Sequence, residues 1–123
     1  QHFNNQLSIG IDIDESLINT ANKHARRRLG EENCKDVKFI HGDALKHDLS
    51  NVTLMVVYLL KESFEILLPL FRKHLSNKDG NCRLVVLGWK LPDTMVPYDI
   101  MECGEGETAT SMNVYYYNAS SIL

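Results

Sequence analysis

The chain has 123 residues, 44% of them hydrophobic and 24% charged, the composition of an ordinary globular domain. Thirteen basic against sixteen acidic residues leave a net charge of -3, the wrong sign for the basic footprint of a general nucleic-acid binder. No apolar stretch approaches the ~18 residues that read as a membrane span.

The elements alternate in type along the chain. Leu7 to Ile13 is a short Ile-rich run that reads as a strand, ending in the acids Asp12 and Asp14. Glu15 to Leu29 follows with helical spacing, since Leu17, Ile18, Ala21, Ala25 and Leu29 fall on one face. Asp14 or Ser16 can cap its start and Gly30 can close its end, with Arg26, Arg27 and Arg28 near its C-terminus. Val37 to His41 is a second strand, followed by Gly42 and Asp43. Thr53 to Leu60 is a third, nearly continuous apolar run, the pattern of a strand buried on both faces.

Glu62 to Leu75 is helical, with Phe64, Leu67, Leu68, Phe71 and Leu75 on one side. Pro69 inside it removes one backbone bond, which predicts a kink or a break into two short helices. Lys78 to Asn81 is a turn, and Cys82 to Trp89 is a fourth strand. Glu105 to Ala109 and Met112 to Tyr117 read as two further strands paired in a hairpin. Strand, helix, strand, strand, helix, strand is an α/β order. It predicts an open, mostly parallel sheet with an antiparallel C-terminal edge, in a single domain over residues 1–123.

Cys34, Cys82 and Cys103 are odd in number and show no C-x-x-C spacing, so no disulfide framework, zinc site or redox pair is expected. They read as reduced thiols of an intracellular protein. Neither the cysteines nor the five histidines are spaced for a metal. Gln1 to Gln6 lacks the architecture of a signal peptide.

In sheets of this kind ligands bind beyond the carboxyl ends of the strands. Asp12 stands at one such end, where a carboxylate can accept both hydroxyl hydrogens of a ribose. Its plain alternative is a solvated loop acid. Gly42-Asp43-Ala44 stands at the next. Asp43 can accept from an exocyclic amine, and the Ala44 amide can donate to a ring nitrogen; the plain alternative is a turn. After the third strand, Tyr58 can line an active site, Lys61 can attract a carboxylate and Glu62 can receive a proton. The competing reading is core packing for Tyr58 and a helix start for the other two. Trp89 can wall a pocket or fill the core edge.

Ile9 to Asp14, a helix, and then Val37 to Ala44 resemble class I S-adenosylmethionine-dependent methyltransferases, whose fold is Rossmann-like. The resemblance implies that Asp12 binds the ribose and Asp43 the adenine of that cofactor. Asp48 to Thr53, Val57 to Glu62, and Trp89 to Pro92 are similar to a subgroup of protein-lysine methyltransferases that includes those of the ATP synthase c subunit. Lys61 stands where that subgroup has proline. Tyr58 and Glu62, from their place after the third strand, are expected to line the acceptor site, and the protein is expected to be cytoplasmic, with the mitochondrion as an alternative. The resemblance implies a protein substrate with a lysine acceptor. It also implies a first strand and a glycine-rich loop before Leu7. Gln1 to Gln6 holds no glycine, so the domain reads as N-terminally truncated, a fragment or a degenerate form.

Methyl transfer is therefore the first functional reading. A non-catalytic binding or scaffold domain of the same fold is the second. A nicotinamide-dependent oxidoreductase is a distant third, because its G-x-G-x-x-G is absent and Gly42-Asp43-Ala44 would go unexplained. A nucleic-acid substrate finds support only in Arg26 to Arg28, which a solvated helix face explains better.

Overall fold

The computed structural model describes residues 7–104 and 112–122. It divides into two compact units, Gln1–His47 and Asp48–Leu123.

The first unit is a strand, a helix and a parallel strand. β1 (Ser8–Asp12) leads into α1 (Glu15–Asn33), which returns the chain to β2 (Val37–His41). The two strands pair in parallel from Ser8 opposite Val37 to Asp12 opposite His41, so both end at the same level. Gly10 lies opposite Phe39, and a Cβ at Gly10 would come within 2.8 Å of the Phe39 ring. The glycine thus lets that ring fold across the neighbouring strand.

Asp14 caps α1, its carboxylate accepting from the amides of Ser16 and Leu17 at 2.9 and 3.3 Å and from the Ser16 hydroxyl at 2.7 Å. These bonds, the Ser16 hydroxyl foremost, hold the Asp14 carboxyl below its ordinary range. Gly30 interrupts the helix at φ 79°, ψ 169°, where a side chain would be strained, and a short further turn reaches Asn33. Of the apolar stripe, Ile18 is buried and Ala21 and Ala25 are half-buried, whereas Leu17 and Leu29 are exposed. Two strands offer a narrow surface, and it covers only the middle of the stripe.

The second unit is a four-stranded sheet with one helix. Its strands are β3 (Leu54–Val57), β4 (Arg83–Leu87), β5 (Asp99–Cys103) and β6 (Met112–Tyr117), in the order β3-β4-β6-β5. β3 and β4 are parallel; β4–β6 and β6–β5 are antiparallel. The described pairings are therefore two parallel and two antiparallel, where the element order predicts a mostly parallel sheet. The antiparallel C-terminal edge is present, but the partner of β6 is Asp99–Cys103, a segment that carries no strand signal in the sequence. The predicted strand Glu105 to Ala109 lies outside the described residues.

β3 is shorter than predicted and is not buried on both faces. β4 pairs with Leu54 to Val57 only. Val57 is buried and Met55 half-buried, while Leu54 and Val56 are exposed, the alternation of a strand covered on one face. Tyr58, Leu59 and Leu60 follow as an exposed segment.

α2 (Phe64–Ser76) runs through Pro69 as one helix, without the predicted break into two short helices. Its buried face carries Phe64, Leu67, Leu68, Phe71 and Leu75, packed with Leu84 and Val86 of β4 and with Tyr117. Burying a large apolar side chain contributes about 1.5–3 kcal/mol. Five of them outweigh the roughly 3 kcal/mol that an interior proline costs. His74 is also buried, and its Nε2 donates to the Arg83 carbonyl at 2.7 Å, which fixes the proton on that nitrogen.

The three tyrosines predicted to form a strand do so as the end of β6. Tyr117 is fully buried, and its hydroxyl accepts from the Leu91 amide at 3.0 Å. Burial raises the Tyr117 phenol above its ordinary pKa. Tyr117→Phe leaves the Leu91 amide buried without an acceptor. The expected loss is about 1–3 kcal/mol in denaturant unfolding, and an unchanged midpoint would mean that the hydroxyl does not hold the 89–92 segment.

Among the described residues no helix is long and apolar enough to cross a membrane, and no three His, Cys, Asp or Glu side chains converge as a metal site. The three cysteines are free: Cys82 buried, Cys34 half-buried and Cys103 exposed.

Candidate functional site

The residues singled out in the sequence fall in two groups, one in each unit. Asp12, Asp43 and Ala44 belong to the first. Because β1 and β2 are parallel and in register, Asp12 and His41 lie side by side at the carboxyl ends. The Gly42 amide donates to the Asp12 carbonyl at 2.9 Å, tying the start of the Gly42-Asp43-Ala44 turn to the end of β1. Gly42 allows a second close approach: a Cβ there would meet His47 Nε2 at 2.8 Å. His41 Nε2 lies 3.0 Å from the Ile13 carbonyl, so that nitrogen carries its proton.

Each acid has a local structural task. Asp12 Oδ1 accepts from the Asp14 amide at 2.8 Å, and Asp43 Oδ1 accepts from the Leu45 amide at 2.9 Å, capping the turn Ala44–Lys46. These are the plain roles weighed against ligand binding, and both are present. They leave the second oxygen of each carboxylate over. Among the described residues no hydrogen bond reaches Asp12 Oδ2 or Asp43 Oδ2, and the Ala44 amide has no acceptor. Asp43 and Ala44 thus place a free acceptor next to a free donor on adjacent residues, at the end of a strand.

Tyr58 and Glu62 belong to the second unit. Tyr58 immediately follows β3 and is 67% exposed, which removes the core-packing alternative. Glu62 lies exposed in the turn Lys61–Ser63 that precedes α2. β4 is the parallel neighbour of β3, so Trp89, two residues past it, emerges at the same end of the sheet. Gly88, at φ 89°, turns the chain just before Trp89, and a Cβ there would sit 3.7 Å from the Tyr58 ring. Lys61 Nζ stands 5.2 Å from the centre of the Trp89 ring. Both residues are conspicuous in the sequence, but nothing in it pairs them, since they are far apart along the chain.

No family model matches the chain, and no curated protein matches it. Among solved structures it is similar to an RNA methyltransferase from Salinibacter ruber, crystallised in complex with S-adenosyl-L-homocysteine. The TM-score is 0.71 at 24% sequence identity, over 90% of this chain and 64% of that one. The chain shares the fold of that protein. A single match covers residues of both units, and the α/β architecture predicted from the element order is that of the neighbour. The chain spans about two thirds of the length of that protein.

Proposed function

We propose that the chain is an S-adenosylmethionine-dependent methyltransferase domain whose acceptor is a protein lysine. The observation that carries the cofactor assignment is the free Asp43 oxygen beside the free Ala44 amide. An adenine edge offers the complement, an amine hydrogen next to a ring nitrogen that accepts. Asp12, at the end of the adjoining strand, keeps one oxygen for the ribose hydroxyls. The residues present therefore fit the nucleoside part of the cofactor.

When bound, S-adenosylmethionine supplies a methyl group activated by its sulfonium. The chain's own contribution is to hold the nucleoside and to position the acceptor, which is where much of such a rate enhancement originates. In this reading Tyr58 lines the acceptor side. Glu62 takes the proton that an acceptor ammonium must lose before its nitrogen can attack. The similarity to the lysine-methylating subgroup at Val57 to Glu62 supports the lysine acceptor. A nucleic-acid acceptor is the second reading, favoured by the RNA methyltransferase that shares the fold.

Calorimetric titration with S-adenosyl-L-homocysteine tests the cofactor reading. Saturable one-site binding is expected, weakened about tenfold or more in Asp12→Ala, the loss of a hydrogen bond to a charged group. A folded chain that binds nothing would instead be a scaffold of the same fold.

A further inference from the structure

We propose that the exposed face of Trp89 is the ammonium subsite for the acceptor lysine, and that Lys61 occupies it as an intramolecular competitor. The inference rests on the methyltransferase reading and adds to it a subsite and a device that holds the subsite closed.

The starting observation is the Lys61 ammonium, 5.2 Å from the ring centre of Trp89. An ammonium within about 6 Å of an indole is attracted by the negative face of the ring, and indole is the strongest of the aromatic partners. Trp89 is 46% exposed, so its ring is open to a ligand from solvent.

The surrounding charges show why the ring holds this cation. Lys61 is followed by Glu62, and Glu65 lies one turn further on. Yet the ion pairs among the described residues are Lys35 with Glu32 and Lys90 with Asp93, and Lys61 is in neither. The neighbouring cation, Lys90, is held at 3.9 Å by Asp93. Lys61 is left to the indole, and its contact displays how an alkylammonium sits there.

The same geometry sets the direction of specificity. A lysine side chain from a partner carries the same ammonium on the same four-carbon stem as Lys61, so it can replace Lys61 like for like. Tyr58, also exposed, lies close to Gly88, the residue before Trp89. A phosphate would be drawn to Lys61 rather than to the ring it covers. Exposed cation–π contacts are weak, so Lys61 raises the threshold for an incoming lysine without closing the subsite.

Trp89 is the one tryptophan in the chain, so its fluorescence reports on this ring alone. The full chain and Lys61→Met, which keeps an unbranched apolar stem and removes the charge, are titrated with n-butylammonium chloride at constant ionic strength. n-Butanol and adenosine 5′-monophosphate are the comparison ligands. The expected result is a saturable change with the ammonium, none with the alcohol, and affinity about two- to fivefold tighter in Lys61→Met.

Equal affinity in the two proteins would overturn the competitor role. No saturation in either would overturn the subsite. Saturation by the nucleotide, lost in Lys61→Met, would make the surface a phosphate-binding one and favour a nucleic-acid acceptor. The S-adenosyl-L-homocysteine titration on the same samples separates the two failures. Cofactor binding without an ammonium response sinks the subsite alone. An ammonium response without cofactor binding overturns its role in methyl transfer.

Discussion

Phe71→Ala is expected to destabilise the Asp48–Leu123 unit by about 3–5 kcal/mol, read from urea unfolding followed by the fluorescence of Trp89. Phe71 is 1% exposed and sits mid-face on α2, within the cluster formed by that helix, Leu84, Val86 and Tyr117. Removing the ring forfeits its transfer energy and leaves a cavity that the sheet beneath cannot collapse to fill. At about 0.05–0.15 kcal/mol per residue, a unit of this size holds only several kcal/mol, so the variant should lie close to its unfolding midpoint in buffer. Ile66→Ala supplies the control. Ile66 is on the same helix but 67% exposed, and its truncation should move the midpoint little. Equal effects from the two substitutions would mean that α2 does not pack on the sheet through the face described.

Asp43→Asn is expected to weaken S-adenosyl-L-homocysteine binding by about 10- to 100-fold with the fold intact. The side-chain oxygen of the introduced asparagine can still accept from the Leu45 amide, as Asp43 Oδ1 does at 2.9 Å, so the turn Ala44–Lys46 keeps its cap. The other terminal atom then becomes an NH2 group, a donor facing the amine donor of an adenine. Two donors cannot pair, and both lose solvent partners on binding. Asp43→Ala loses both the cap and the acceptor, so it cannot separate the two roles. The asparagine variant does. Parent-like affinity for Asp43→Asn, with an unchanged circular dichroism spectrum, would reduce Asp43 to a turn residue and remove the main support for the adenine assignment.

The two substitutions probe parts of the molecule that are legible in the sequence to different degrees. Val37–His41 is predicted to the residue, the Glu15 start of α1 also agrees with the structure, and β1 (Ser8–Asp12) falls one residue inside each end of the predicted Leu7 to Ile13. Asp14 caps the helix and Gly30 breaks it, as their chemistry requires. All of these depend on interactions within a few positions along the chain, between a carboxylate and the next amides, or on the conformational freedom of one glycine. The acid and the Gly-Asp pair proposed to hold the nucleoside are likewise local, and β1–β2 pairing brings them together because the two parallel strands end in register, Asp12 opposite His41.

Features beyond local reach follow from pairing and packing. The prediction for β3 overruns its end because the apolar run continues beyond the segment that β4 covers, and the exposed Tyr58 comes from that overrun. Asp99–Cys103 has no alternation to mark it as a strand. It becomes one because β6 presents an unpaired edge to it. The helix through Pro69 survives because a buried face outweighs one missing backbone bond. Lys61 and Trp89 meet only because β3 and β4 are parallel neighbours. Most of the elements, the caps and the chemical character of the strand ends are written in the sequence, since near neighbours along the chain set them. Strand order, strand length and the pairing of distant side chains are not, since they follow from which apolar faces can be buried together.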